Sequence, residues 1–210
     1  MGAFCAGVVS FVFGLMSLSR RTSVRGFSRT VVEFFRGTSI VVQLFWIAFA
    51  LPQLGFKLTL FAAGTVALAL NFGAYGSEVV RGAISAVPKE QWEATVALSM
   101  SPWHRMRRVV LPQALPEMIP PFSNLVVQIV KSTSVLFLIG ITELTFELQN
   151  LRADLGSLTA FSFGLVVYFV LAQGLVAIMR RVEHRAAAKV GRGPKAPGAA
   201  GPVRMIQAVP

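Results

Sequence analysis

The sequence is short of charge. Only 14% of its 210 residues are Asp, Glu, Lys or Arg, where soluble domains carry about a quarter. At 54% hydrophobic residues it lacks the polar surface to cover a globule, so lipid is the expected solvent. Acidic residues are scarcer still, 9 against 20 Lys and Arg, for a net charge of +11. Such an excess would suit nucleic acid, but no nucleic-acid partner is expected, because the basic residues sit in short segments between apolar runs, as cytoplasmic loops do under the positive-inside rule. A single cysteine, Cys5, rules out an internal disulfide or a Cys-based metal site. His104 and His184 are far apart and lack ligand-like neighbours, so no metal is expected. There is no Gly-x-x-x-x-Gly-Lys-Ser/Thr loop and no catalytic constellation, so neither a nucleotide site nor any cofactor is expected on this chain.

What is present is apolar. Five stretches read as membrane helices, at about Gly2–Leu18, Thr38–Leu54, Leu58–Val80, Met118–Ile141 and Leu158–Met179. Each approaches the ~20 residues needed to cross hydrocarbon as a helix that satisfies its own backbone. The first is short for a span, which reads as a late start or a clipped helix, and its basic residues follow rather than precede it, unlike a signal peptide. Basic residues concentrate in segments 20–36, 81–108 and 180–204, while segment 142–157 carries Glu143, Glu147 and Asp154 against Arg152. The alternation predicts five crossings, with the N-terminus outside and the C-terminus cytoplasmic. Residues 1–184 form the expected transmembrane domain. Residues 185–210, basic and rich in Gly, Ala and Pro, form an expected disordered cytoplasmic tail.

The longest polar insert runs from about 81 to 117. Pro88 followed by Lys89-Glu90-Gln91-Trp92-Glu93-Ala94 signals a helix start, and Ser101-Pro102 an end. A second helix is expected from about Trp103 to Leu111. Spacing alone leaves two readings open, an amphipathic connector on the membrane surface or a handle for a soluble partner.

This insert resembles the EAA loop of the integral-membrane permease subunits of bacterial ABC importers. Glu93 and Ala94 match its pattern. Thr95 stands for the second Ala, Ser99 for the usual Gly, and Val109, Leu111 and Pro112 complete it. The resemblance extends to Glu33-Phe34-Phe35-Arg36-Gly37-Thr38, to the run from Gly73 to Ile84, to Leu111-Pro112-Gln113-Ala114 and to Lys131-Ser132-Thr133-Ser134, over about residues 8 to 184. These runs are similar to the polar amino-acid (histidine/glutamine-type) branch, and within it Asn71–Arg81 and Ala97–Pro102 resemble ectoine and hydroxyectoine permeases. The resemblance implies an all-α type I importer permease with five transmembrane helices in the bacterial plasma membrane, without ATPase chemistry of its own. It implies a second permease, identical or homologous, two cytoplasmic ATPase subunits and an extracytoplasmic solute-binding protein. It places Glu93, Ala94, Ser99, Leu111 and Pro112 at the ATPase contact. The substrate would be a polar amino acid or a related zwitterion.

Two polar rows mark the membrane segments themselves. Asn71, Tyr75 and Glu78 share one helix face, as do Asn124, Gln128 and Lys131. Ionisable groups at membrane depth cost about 2.5–3.5 kcal/mol each on insertion scales and face the bundle interior or a pathway. One reading is a substrate path with Lys131 near a carboxylate. The other is structural, with Glu78 paired to Lys131 or Arg81. Gln43 reads as glue or as lining. The rival classes are an ion-coupled secondary transporter, which usually shows internal repeats that this chain lacks, and a non-transporting membrane scaffold, which has no need of polar rows.

Overall fold

The computed structural model describes residues 1–189. Helices α1 (Gly2–Ser17), α2 (Thr22–Gly37), α3 (Ile40–Phe45), α4 (Leu60–Ser85), α5 (Lys89–Ala97), α6 (Pro102–Arg105), α7 (Leu111–Ser132), α8 (Leu144–Leu155) and α9 (Ser157–Lys189) carry the fold, with no strand among the described residues. The expected all-α membrane architecture is what forms.

Helix α4 is the centre. Of the three helices long and apolar enough to span a membrane, Leu60–Ser85, Pro102–Ile139 and Ser157–Arg185, it is by far the most enclosed, with 61% of its most apolar window buried against 22% and 11%. Its small residues explain this. A Cβ on Gly73 would stand 2.5 Å from the Val9 side chain, and one on Gly14 would stand 2.7 Å from that of Val80, so α1 and α4 touch backbone to backbone, the packing that small residues allow in bilayers. Ser10, on the same seam, is buried, and its hydroxyl donates to the Ala6 carbonyl at 2.6 Å.

Three expectations are corrected. The segment Thr38–Leu54 is no straight span. After α3 the chain continues through a π turn at Trp46–Ala50 and a 3-10 turn at Leu51–Leu54, and this arm bends by 104° from α2. The two arms qualify as a span only when taken together, and the first of them, α2, holds most of the basic segment 20–36. Secondly, the loop's second helix is not separate from the following span, because Pro102–Ile139 is one continuous 38-residue helix. Ser101 starts it, its hydroxyl accepting from the His104 amide, and proline suits the first turn of a helix. Thirdly, the acidic segment 142–157 is mostly helix α8, packed back on α9. Helix α9 also runs to Lys189, past the boundary expected at 184. The tail expected from there falls, from 190 on, outside the described residues. Helix α1 is a shorter apolar helix of 16 residues, about 24 Å long.

Candidate functional site

The insert after α4 is built as a seated knob. Val80, Ala83 and Ile84 from the end of α4, with Val87 just after it, pack on Val110, Ala114 and Met118, and Trp92, Met106 and Leu111 close around them. Trp92 and the buried Thr95 form the inner side of α5. The other side is open, with Glu93, Ala94 and Ala97 exposed. Three large apolar residues, Val96 (58%), Leu98 (73%) and Trp103 (72%), also stand in the open. Apolar side chains this exposed around a short polar helix mark a candidate contact face.

Ser99 decides the shape of that face. Helix α5 ends at Ala97, three residues before the expected stop. Ser99 follows with φ +52°, the sole non-glycine residue with positive φ among those described. The Met100 amide donates to the Thr95 carbonyl at 3.1 Å and the Ser99 amide to the Val96 carbonyl at 2.8 Å. This is a Schellman closure with serine in the left-handed position where glycine is preferred. Serine holds the turn at a conformational cost that glycine avoids. The Arg105 guanidinium braces it, Nη2 donating to the Met100 carbonyl at 3.3 Å. Its Nε is buried with no acceptor. Pro112 lies exposed below the knob. Leu111 points into the seat, so it supports the face rather than presenting itself. Gln113 Nε2 donates to Gln91 Oε1 at 3.3 Å, joining α7 to α5.

The two polar rows are not brought together. Asn71 is buried. Its Nδ2 donates to the Phe35 carbonyl at 3.1 Å and to Gln43 Oε1 at 3.3 Å. Gln43 Nε2 donates to the same Phe35 carbonyl at 2.9 Å and to Thr38 Oγ1 at 2.6 Å. These amides satisfy carbonyls that the break between α2 and α3 strands, the condition for a broken helix at membrane depth. Gln43 is therefore glue. Tyr75 donates to the Arg36 carbonyl at 3.2 Å, and the Arg36 guanidinium lies 5.3 Å from its ring centroid. Glu78 accepts from Arg81 in bidentate fashion, the shortest contact being 2.7 Å. It does not pair with Lys131.

The α7 row is different. Asn124, Gln128 and Lys131 are all exposed, and Glu117, which lies outside the expected row, is exposed on the same helical face. Glu117 sits seven residues before Asn124, two turns down the same stripe, and that spacing is present in the sequence. Such a stripe on a spanning helix does not face lipid. Lys131 also borders an open crevice of about 490 Å³ with Ser134, Thr145, Tyr168 and Gln173. There the Tyr168 hydroxyl donates to Glu143 Oε2 at 3.1 Å and lies 2.8 Å from Thr145 Oγ1. Glu143 also caps α8, its Oε1 accepting from the Phe146 amide. Glu143 and Tyr168 escape sequence reasoning because one lies in what reads as a loop and the other inside an apolar run.

A central helix α4 flanked by α1, by the α2 and α3 arms and by α7, with α9 packed outside on α7 and α8, carries an exposed knob on its end and a polar stripe beside it, the architecture of a membrane-embedded subunit. Residues 6–188 match the family described as binding-protein-dependent transport system inner membrane component. A probable amino-acid ABC transporter permease of Sinorhizobium fredii is 47% identical over 189 residues, covering 86% of this chain and 79% of its own. The glutamine transport system permease of Escherichia coli is 39% identical over 157 residues, covering 73% and 72%. Among solved structures, an amino acid ABC transporter with histidines superposes with a TM-score of 0.81 at 28% identity, over 88% of this chain and 86% of that one. In fold alone, the MetNI methionine ABC transporter superposes with a TM-score of 0.71 at 20% identity, over 88% and 91%. The chain belongs to the binding-protein-dependent inner-membrane component family, in its polar amino-acid ABC importer branch. It is a multi-pass permease subunit of the inner membrane with the type I importer fold, and it is not itself the ATPase.

Proposed function

We propose that this permease carries a polar amino acid inward by alternating access, driven through the knob formed by α5 and the Ser99 turn. Two ATPase subunits seat this knob in a surface groove. Glu93 pairs there with a basic residue, Ala94 allows close approach, Ser99 sets the angle, and Leu111 and Pro112 hold the base. Rigid-body motion needs a contact that does not deform. The single observation that carries the reading is that Glu93 and Ala94 are exposed beside Leu98 and Trp103 while Trp92 and Leu111 are packed into the core beneath.

A second permease, identical or homologous, covers the stripe of Glu117, Asn124, Gln128 and Lys131, and the substrate passes between the two chains. Asn71, Tyr75 and Glu78 support that path from behind by holding α2 and the α3 arm. In this reading the N-terminus lies outside and the knob and C-terminus lie in the cytoplasm, an orientation supported by the distribution of the basic segments. An extracytoplasmic binding protein delivers the solute. An amino-acid substrate is supported by relatives named for glutamine and for L-cystine, the latter 34% identical over 188 residues. Ectoine and hydroxyectoine belong in the same uptake panel.

The test is Glu93→Lys in the assembled transporter. Membrane insertion should persist while ATP-dependent uptake collapses. Unchanged uptake refutes the assignment of Glu93, and uptake that survives ATP depletion refutes the mechanism.

A further inference from the structure

We propose that helix α2 and the bend it forms with α3 bind an anionic phospholipid, its phosphate on the arginines of α2 and an acyl chain in the crevice beside Trp46. The sequence of α2 sorts its residues by flank. Arg21, at the start of the helix, is followed by Arg25, Arg29 and Arg36 at spacings of four, four and seven, so all of them share one side. Val24, Phe27, Val31 and Phe34 follow one another at spacings of three, four and three and share another side. Phe27 and Phe34 stand about 160° round the axis from Arg29 and Arg36 at 3.6 residues per turn. The inner side, between the two flanks, holds the buried Ser28 and Val32. The Ser28 hydroxyl donates to the Phe13 carbonyl at 2.9 Å, which fixes the roll of α2 on α1.

With that roll fixed, both flanks stay open. Phe27 and Phe34 are 61% and 60% exposed, and Arg21, Arg29 and Arg36 are exposed as well. Among the described residues none of these guanidiniums forms an ion pair, and Glu33 is the one acidic residue between 20 and 37. The outer side carries Ser23, Gly26, Thr30 and Gly37, all small and exposed. Nothing lies within 4 Å of the point where a Cβ on Gly26 or Gly37 would stand. A long molecule can therefore cross α2 close to its backbone, from the arginines to the phenylalanines.

Past Phe34 this route opens into a crevice of about 360 Å³ between α2 and α3, walled by Phe34, Val42, Trp46 and Leu70 among others. Val42 and Trp46 stand open in it. Its polar members, Thr38 and Gln43, are spent on each other, Gln43 Nε2 donating to Thr38 Oγ1 at 2.6 Å. Such a lining suits an alkyl chain and leaves a peptide little to bond. A second copy of this chain fits poorly, because a symmetric contact over α2 sets its arginines against themselves. An anionic lipid answers both flanks at once. Helices with basic residues on one side and phenylalanine on the other settle where headgroups meet acyl chains. Tryptophan favours the same depth, and basic residues there draw anionic headgroups.

The experiment uses the complete transporter in vesicles of equal parts phosphatidylcholine and phosphatidylglycerol, with the acyl chains of one lipid or the other brominated. Bromine quenches tryptophan fluorescence on contact, and the part of the quenching that Trp46→Phe removes belongs to Trp46. Brominated phosphatidylglycerol should quench Trp46 about fivefold more than brominated phosphatidylcholine, the ratio that one basic residue at an anionic surface provides. Arg25→Gln/Arg29→Gln, which spares the Arg36 guanidinium over the Tyr75 ring, should make the two lipids equal. Gly26→Leu, which blocks the crossing with every arginine in place, should lower the preference too. Equal quenching in the parent, or a preference that survives either variant, overturns lipid recognition by α2. A Trp46 signal that neither lipid quenches shows protein over the crevice, a second copy or another chain, and overturns the site altogether.

Discussion

Asn71 on α4 and Gln43 on α3 donate to one acceptor, the Phe35 carbonyl near the end of α2, at 3.1 and 2.9 Å. One carbonyl thereby ties three helical segments at the point where the span breaks. Gln43→Leu removes two donors and leaves Asn71 one partner short. Buried polar groups left unsatisfied cost about 1–3 kcal/mol. Detergent-solubilised Gln43→Leu should lose that much stability in thermal or denaturant melts, with weakened order of the α3 arm. A variant as stable as the parent would mean that the amide network does not hold the elbow.

Ser99 should respond in opposite directions to two substitutions. Ser99→Gly relieves a left-handed residue and should stabilise the loop by about 1 kcal/mol, with uptake retained. Ser99→Val places a β-branched residue at φ +52° and should reduce ATP-coupled uptake more than membrane accumulation. Hydrogen exchange at the Met100 amide checks both, faster in the valine variant and slower in the glycine one.

The seam between α1 and α4 leaves no room. Gly73→Leu must push Val9 and the α1 backbone aside, and overpacking of this kind costs about 1–3 kcal/mol. Less folded protein should be recovered from membranes. Gly82, in the same helix, has nothing within 4 Å of the point where a Cβ would stand, and Gly82→Ala should be neutral or stabilising by about 0.5–1 kcal/mol. Equal recovery of the two variants would refute the close-packed seam.

Glu78 and Arg81 form an ion pair whose side chains are 29% and 34% exposed. A double-mutant cycle with Glu78→Gln and Arg81→Gln should return a coupling energy of about 0.5–1 kcal/mol, as for partly solvated pairs. The charge swap Glu78→Arg/Arg81→Glu should recover stability lost by either half alone. A cycle that closes on zero would show that the pair is incidental.

The spans and the knob are legible in the sequence because both signals are local. Apolar runs flanked by arginine mark the crossings, and Pro88 and Ser101-Pro102 bracket α5. What stays hidden is non-local. The bend between α2 and α3 depends on Asn71, about thirty residues away, arriving to satisfy carbonyls that the break releases. The continuity of Pro102–Ile139 runs against the ordinary reading of proline, since Pro112, Pro116, Pro120 and Pro121 all lie within it. Glu117 shares its period with Asn124, yet the proline cluster around it argues locally against helix. The bond between Glu143 and Tyr168 spans twenty-five positions, and no periodicity within either segment announces it.

The 38-residue helix from Pro102 to Ile139 has a mechanical corollary. At 1.5 Å per residue it is a rod about 57 Å long, rooted at the Ser99 turn and ending beside the α3 arm. Pivoting such a rod by about 5° about one end sweeps the other through about 5 Å, close to one helical turn. Movements too small to unseat Trp92 from its core are thus magnified into displacements on the scale of a small solute.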